Sequence, residues 1–321
     1  MDERRWIHNL HNRYRIFFGI IIIVATMRVT GCIGNWVTDT ISPSEDYVYI
    51  TYPGSEMYQF NFGAESIDGS DIVVEYEDGT IKSYTSPVAD LTKTIPGATS
   101  IKIYSPSKLG LISFQSGDNI CFLEKATNIT RINISDYLGN SLNIPASMSS
   151  LSHIQIVNAA SLISFTTYSS WTNLIDISID APSLESLVLR EEWPLEYLFI
   201  LRGSFSNLET YSAWPLKQLS VLGNKLASYN ILWTNMEWIA ITNAGLTSFS
   251  VSSNTLLPTG ILDLSYNDLG VVSINNILIT LDSASFRGQI YLNGGTNAAP
   301  TGSGITAKTA IGARGGSVIT N

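Results

Sequence analysis

Residues 216–226 read Leu-Lys-Gln-Leu-Ser-Val-Leu-Gly-Asn-Lys-Leu, with leucine or valine at 216, 219, 221 and 226 and asparagine at 224. The end of the same line returns as Leu262-x-Leu264-x-x-Asn267-x-Leu269. Met236, Ile239, Ile241 and Leu246 fit it as well, with Ala244 at the asparagine place. Apolar starting positions recur in a short, nearly constant step at Leu151, Leu162, Leu174, Leu184, Leu195, Phe205, Leu216, Leu226, Met236 and Leu246. Two such steps make a unit of about 21 residues, within the range of short stacked coils. Trp171, Trp193 and Trp214 recur at that same double step and in the same phase. One coil cannot bury its own apolar line, so neighbours must stack into a solenoid. The asparagine side chain can bond the backbone groups left open where the strand turns.

This line is similar to the L-x-x-L-x-L-x-x-N-x-L pattern of leucine-rich repeats. Alternation along each strand leaves every second residue on the outer sheet face. Those residues are Ser186 and Val188, Tyr197 and Phe199, Gln218 and Ser220, Trp238 and Ala240, and Asp263 and Ser265. Tyr197, Phe199, Gln218 and Trp238 form the candidate binding set, because aromatic residues on an outer face mark recognition surfaces. Burial against the preceding module or another subunit accounts for the same aromatics equally well.

Upstream, residues 38–115 read as a small β-sandwich-like module. Tyr47–Tyr52 alternates β-forming residues, and Ile72–Tyr76 and Thr80–Tyr84 flank Glu77-Asp78-Gly79, a hairpin turn with glycine for the positive φ. Residues 116–270 are assigned to the solenoid. In residues 271–321 the repeat breaks into a helix at Val272–Ser283, a strand at Gln289–Leu292, a helix at Thr306–Ala313 and a strand at Ser317–Thr320. Such an α/β cap would cover the open end of the solenoid. The expected fold is therefore mainly β, with an N-terminal transmembrane or signal helix, the β module, a leucine-rich-repeat solenoid and the cap.

The amino terminus differs in composition. Residues 1–15 carry Arg4, Arg5, Arg13 and Arg15, and the apolar segment 16–37 holds a single charge, Arg28. As a helix that segment is about 33 Å long, enough for a hydrocarbon core of roughly 30 Å. The basic flank predicts an inside amino terminus and an outside remainder. A second reading stays open: Val29-Thr30-Gly31-Cys32 resembles a bacterial lipobox, with Cys32 lipidated and the preceding residues removed. Either reading expects a lipid membrane as a partner through residues 16–37. The basic start and the Gly/Thr-rich exit argue against a buried core helix.

The net charge is −9, and residues 41–321 hold 13 of the 18 basic side chains and 24 of the 27 acidic ones. Such a chain is a poor partner for nucleic acid. No clustered catalytic constellation is evident: His8 and His11 lie at i, i+3 on the basic stem, His153 stands alone, Glu191-Glu192 reads as a charged turn, and neither cysteine has a C-x-x-C partner. The expectation is a non-enzymatic protein with no cofactor and no metal site.

The stretch from Gly294 to Asn321, GGTNAAPTGSGITAKTAIGARGGSVITN, resembles the ending of a family of leucine-rich surface proteins. They occur among phage tail-fibre and virion proteins and Bacteroidetes-type surface proteins. Ile261-Leu-Asp-Leu-Ser-Tyr-Asn-Asp-Leu269 matches the line that precedes that ending. Where relatives often have Gly-Trp before the last strand, this chain has Gly315-Gly316. The resemblance implies a recognition role on a virion or cell surface: a spike or attachment protein of a membrane-containing phage, or a bacterial surface lipoprotein acting as an adhesin or glycan-binding module. It implies a host-surface receptor or glycan, other virion proteins and further copies of the chain as partners.

Overall fold

The computed structural model describes residues 47–52, 57–96, 99–104, 106–115, 117, 119–121 and 126–321. The expected stem, the apolar segment 16–37 and Cys32 lie outside the described residues. Among the described residues no helix is long and apolar enough to cross a membrane.

The first eight strands are β1 (Tyr47–Tyr52), β2 (Met57–Ser66), β3 (Ile72–Tyr76), β4 (Ile81–Tyr84), β5 (Val88–Pro96), β6 (Thr99–Tyr104), β7 (Leu109–Gln115) and β8 (Asn119–Cys121). Five of them form an antiparallel sheet in the order β4-β3-β6-β1-β8. The β3–β4 hairpin turns at Glu77-Asp78-Gly79, where Gly79 has φ of 77°. The other three strands begin a sheet of twelve. In it β5 and β7 flank β2 in antiparallel fashion, and the opposite edge of β7 starts a parallel stack. The module thus runs into the solenoid through β7, and Phe62, Val74, Ile103, Ile112 and Phe114 join the solenoid's apolar residues in one core.

The parallel stack continues through β9 (Arg131–Ser135), β11 (His153–Val157), β13 (Asp176–Asp180), β14 (Tyr197–Leu201), β15 (Gln218–Leu222), β17 (Met236–Thr242), β19 (Leu256–Asp263), β20 (Gln289–Leu292) and β21 (Ser317–Thr320). Short parallel pairs form on the return side, β10 (Ser141–Asn143) with β12 (Ser164–Thr166) and β16 (Ser228–Asn230) with β18 (Ser248–Ser250). Two inward columns run along the stack. Ile132 and Ile134 pair with Ile154 and Ile156, then Ile177 and Ile179, Leu198 and Ile200, Leu219 and Val221, and Ile239 and Ile241. None of these is more than 1% exposed. Burying each is worth roughly 1.5–3 kcal/mol, so this ladder dominates the stability of the stack.

Three polar devices close the coils. A left-handed residue with positive φ follows most outer strands: Asp136, Asn158, Arg202, Gly223 and Asn243 directly, Tyr266 three residues after β19 and Gly294 two residues after β20. Most are Asp, Asn or Gly, the residues for which that region costs least. Asn224, Asn267 and Asn297 are buried and bond backbone groups of their own coil and the one before. On the return side Trp171, Trp193, Trp214 and Trp233 each donate the indole N–H to a carbonyl one coil earlier, at 2.9–3.1 Å. Trp171 stacks on Trp193 and Trp214 on Trp233, with centroids 6.1 and 6.2 Å apart.

Two expectations need correction. Ser186 and Val188 do not lie on an outer strand; the strand of that coil is β13, and residues 184–189 belong to its return side. The carboxyl end does not break the stack. Its helices, α1 (Val271–Ser283) and α2 (Ser303–Ala313), form the return sides of two further coils, and β20 and β21 extend the parallel sheet. The repeat lengthens there: Tyr197, Gln218 and Trp238 are register partners on successive strands, and Ile261, Gln289 and Ser317 are partners set further apart in the chain. A helix rises about 1.5 Å per residue against about 3.3 Å for a strand, so a helical return takes more residues to cover the same distance. Helix α1 buries Ile274, Ile277, Leu278 and Leu281, the i, i+3, i+4, i+7 face.

Candidate recognition surface

Strand register places one residue of each coil side by side on the outer face. The first row runs Arg131, His153, Asp176, Tyr197, Gln218, Trp238. With strands 4.7–4.9 Å apart, these six positions span about 24 Å across the sheet. The second row runs Asn133, Gln155, Ser178, Phe199, Ser220, Ala240. Three of the four residues singled out from the sequence, Tyr197, Gln218 and Trp238, are therefore consecutive in one row.

Phe199 plays a different part from the one its alternation implied. It faces outward and yet is only 5% exposed. Small residues stand beside it on the next two strands, Ser220 and Ala240. That leaves room for the Trp238 ring, whose centroid is 6.1 Å from that of Phe199 at 51°. Phe199 is the floor under a half-buried Trp238.

Charged residues at or just before the strand starts fix the aromatic end. Lys217 pairs with Glu196 at 2.6 Å, and its ammonium sits 5.9 Å from the Tyr197 ring centroid. The Gln218 amide donates to Glu237 at 3.0 Å. Burial, offset in part by Lys217, raises the Tyr197 pKa, so its hydroxyl is a neutral donor at physiological pH.

The other half of the first row is not singled out by the leucine pattern, although the sequence holds a signal for it. Arg131-Ile-Asn-Ile, His153-Ile-Gln-Ile and Asp176-Ile-Ser-Ile share one alternation, repeated once per coil. His153 is half-buried, and burial together with Arg131 lowers its pKa. The Ser152 hydroxyl donates its one proton to the Thr130 carbonyl at 2.9 Å and lies 2.7 Å from His153 Nδ1. With the Ser152 proton assigned to Thr130, the proton of the neutral ring is assigned to Nδ1 and Nε2 presents a lone pair. Asp176 is half-buried as well, and burial pushes its pKa up to about 6 despite the opposing field of Arg131.

Asp176 differs from the other acids of this face. Asp136 accepts from Gln115 and Asn158, Asp180 pairs with Arg202, and Asp263 accepts from the Ser265 N–H and hydroxyl. Among the described residues the Asp176 carboxyl has no hydrogen bond or ion pair. Burying it without a partner opposes folding. No group of three or more metal-ligating side chains occurs among the described residues.

No protein-family model matches the sequence, and no curated protein matches it either.

Proposed function

We propose that the chain is a non-enzymatic surface-display protein that presents the outer face of its solenoid, around Tyr197, Gln218 and Trp238, to a host-surface receptor. The observation that carries this reading is the half-buried Trp238 on its Phe199 floor, in one row with Tyr197 and Gln218. A rigid aromatic platform loses little conformational entropy on contact. The basic flank and apolar segment 16–37 support a membrane anchor, and the carboxyl-terminal resemblance supports kinship with leucine-rich surface proteins. Together they favour a spike or attachment protein of a membrane-containing phage, set among other virion proteins and displayed as a homo-oligomer. Repetition in such an array compensates for weak single contacts.

The Val29–Cys32 sequence favours a second reading, a bacterial surface lipoprotein acting as an adhesin. Intact mass of protein from its native membrane separates the two. A mass near 35.1 kDa supports the anchor. Loss of residues 1–31 with acyl chains on Cys32 supports the lipoprotein.

The surface assignment has its own test. Tyr197→Ala combined with Trp238→Ala is expected to weaken attachment at least tenfold while the fold persists by circular dichroism. Unchanged attachment by the folded double variant overturns the assignment.

A further inference from the structure

We propose that the outer face binds a linear, uncharged oligosaccharide laid across the strands, stacked on Tyr197 and Trp238 and read through its hydroxyl groups by Arg131, His153 and Asp176. This rests on the reading of that face as a recognition surface, and it extends the site by three coils.

The row makes specific demands of a partner. The platform at one end offers ring faces, which suit C–H surfaces. The other end offers, on adjacent strands, a guanidinium that only donates, an imidazole Nε2 that accepts and a carboxyl that has no protein partner. A purely apolar partner would bury these three polar groups without hydrogen bonds, at a cost for each. A polyanion would meet Asp176, Glu196 and Glu237 along the same strip of an acidic chain. A strand-forming peptide would need an open sheet edge, whereas every strand of the row is paired on both sides. A neutral sugar chain meets every requirement, since one ring carries apolar C–H faces and hydroxyls that both donate and accept. A hydroxyl oxygen accepts from Arg131, while hydroxyl protons go to His153 Nε2 and to Asp176. The raised pKa of Asp176 fits a carboxyl that is poorly solvated in the free protein and gains its partner on binding.

The test uses the full chain in detergent and neutral hexaoses (maltohexaose, cellohexaose and chitohexaose), with hexagalacturonate as the anionic comparison, read by calorimetry and tryptophan fluorescence. At least one neutral hexaose is expected to bind and hexagalacturonate to bind more weakly. Asp176→Asn and Trp238→Ala should each weaken that binding about tenfold or more. Binding of no neutral hexaose, tighter binding of hexagalacturonate, or full affinity in folded Asp176→Asn overturns the proposal. The double variant Tyr197→Ala/Trp238→Ala separates this failure from failure of the surface itself. If it loses attachment while no neutral hexaose binds the native chain, the surface stands and the sugar assignment falls. If attachment is unchanged, both fall.

Discussion

Asn267→Leu is expected to lower folding stability by about 3–5 kcal/mol, while Asn207→Leu on the exposed return side changes it by less than about 0.5 kcal/mol. The two substitutions are chemically identical, and only the surroundings differ. Asn267 is 1% exposed. Its Oδ1 accepts from the N–H groups of Ala244 at 3.0 Å and Leu246 at 3.2 Å. Its Nδ2 lies within 2.6–3.3 Å of the carbonyls of Ile241, Leu264 and Ser265. Leucine has similar volume but leaves those backbone groups buried without partners, and each orphan costs about 1–3 kcal/mol. At the same place in the preceding coil Ala244 supplies no side-chain amide, and its own N–H is served by the asparagine of the following coil. Asn224 offers a graded comparison, since it makes a 3.4 Å contact with the Phe205 N–H and donates to Leu222. Its replacement by leucine should cost less than that of Asn267. Urea denaturation of the three variants checks the order, and a loss below about 1 kcal/mol at Asn267 would sink the argument.

The same asparagine line shows what the sequence could reveal about the fold. Residues 216–226 combine apolar alternation with an asparagine at a fixed offset, and they locate β15 and its turn correctly. Strands β1, β20 and β21 are legible from alternation between turn signals. The short apolar step is less informative, because both sides of a coil bury an apolar residue. The step alone cannot tell the sheet side from the return side. Leu184-Glu-Ser-Leu-Val-Leu189 keeps both the step and the L-x-x-L-x-L spacing, and yet it is a return segment. Arg131, His153 and Asp176 have the alternation with isoleucine in place of leucine, so a pattern anchored on leucine misses them. The last two coils are hidden because a helical return lengthens the repeat beyond the period of the others. Phe199 is legible as outward, but its role as a floor depends on Trp238, which is distant in sequence and two strands away in space.

Asp176→Asn is expected to make the protein more stable at pH 7, by about 1–3 kcal/mol, and to lose that advantage near pH 4. The direction follows from linkage. In the folded chain the carboxyl titrates at about 6, above its ordinary value of 3.8, chiefly because of burial. A raised carboxyl pKa means that the folded state binds the proton more tightly than the unfolded state does. At pH 7 the native protein therefore carries a carboxylate that disfavours folding, an unfavourable contribution that fades as the pH falls through 6 towards 3.8. Below that range both states hold the proton and the contribution is absent. Asparagine has no charge to desolvate, so its stability does not follow that titration. Residual solvent around the half-buried side chain keeps the effect towards the lower end of the range. Denaturation of both proteins at pH 7.5, 6 and 4 measures it, and each comparison at one pH cancels the titration of the other acids. A variant less stable than the native protein at pH 7.5, or a difference that does not shrink by pH 4, would show that the carboxylate has a stabilising partner. The expected gain also bears on function. A substitution that strengthens the fold and weakens oligosaccharide binding identifies a side chain held in place for its ligand, since a structural acid such as Asp180, paired with Arg202, should show no such opposition.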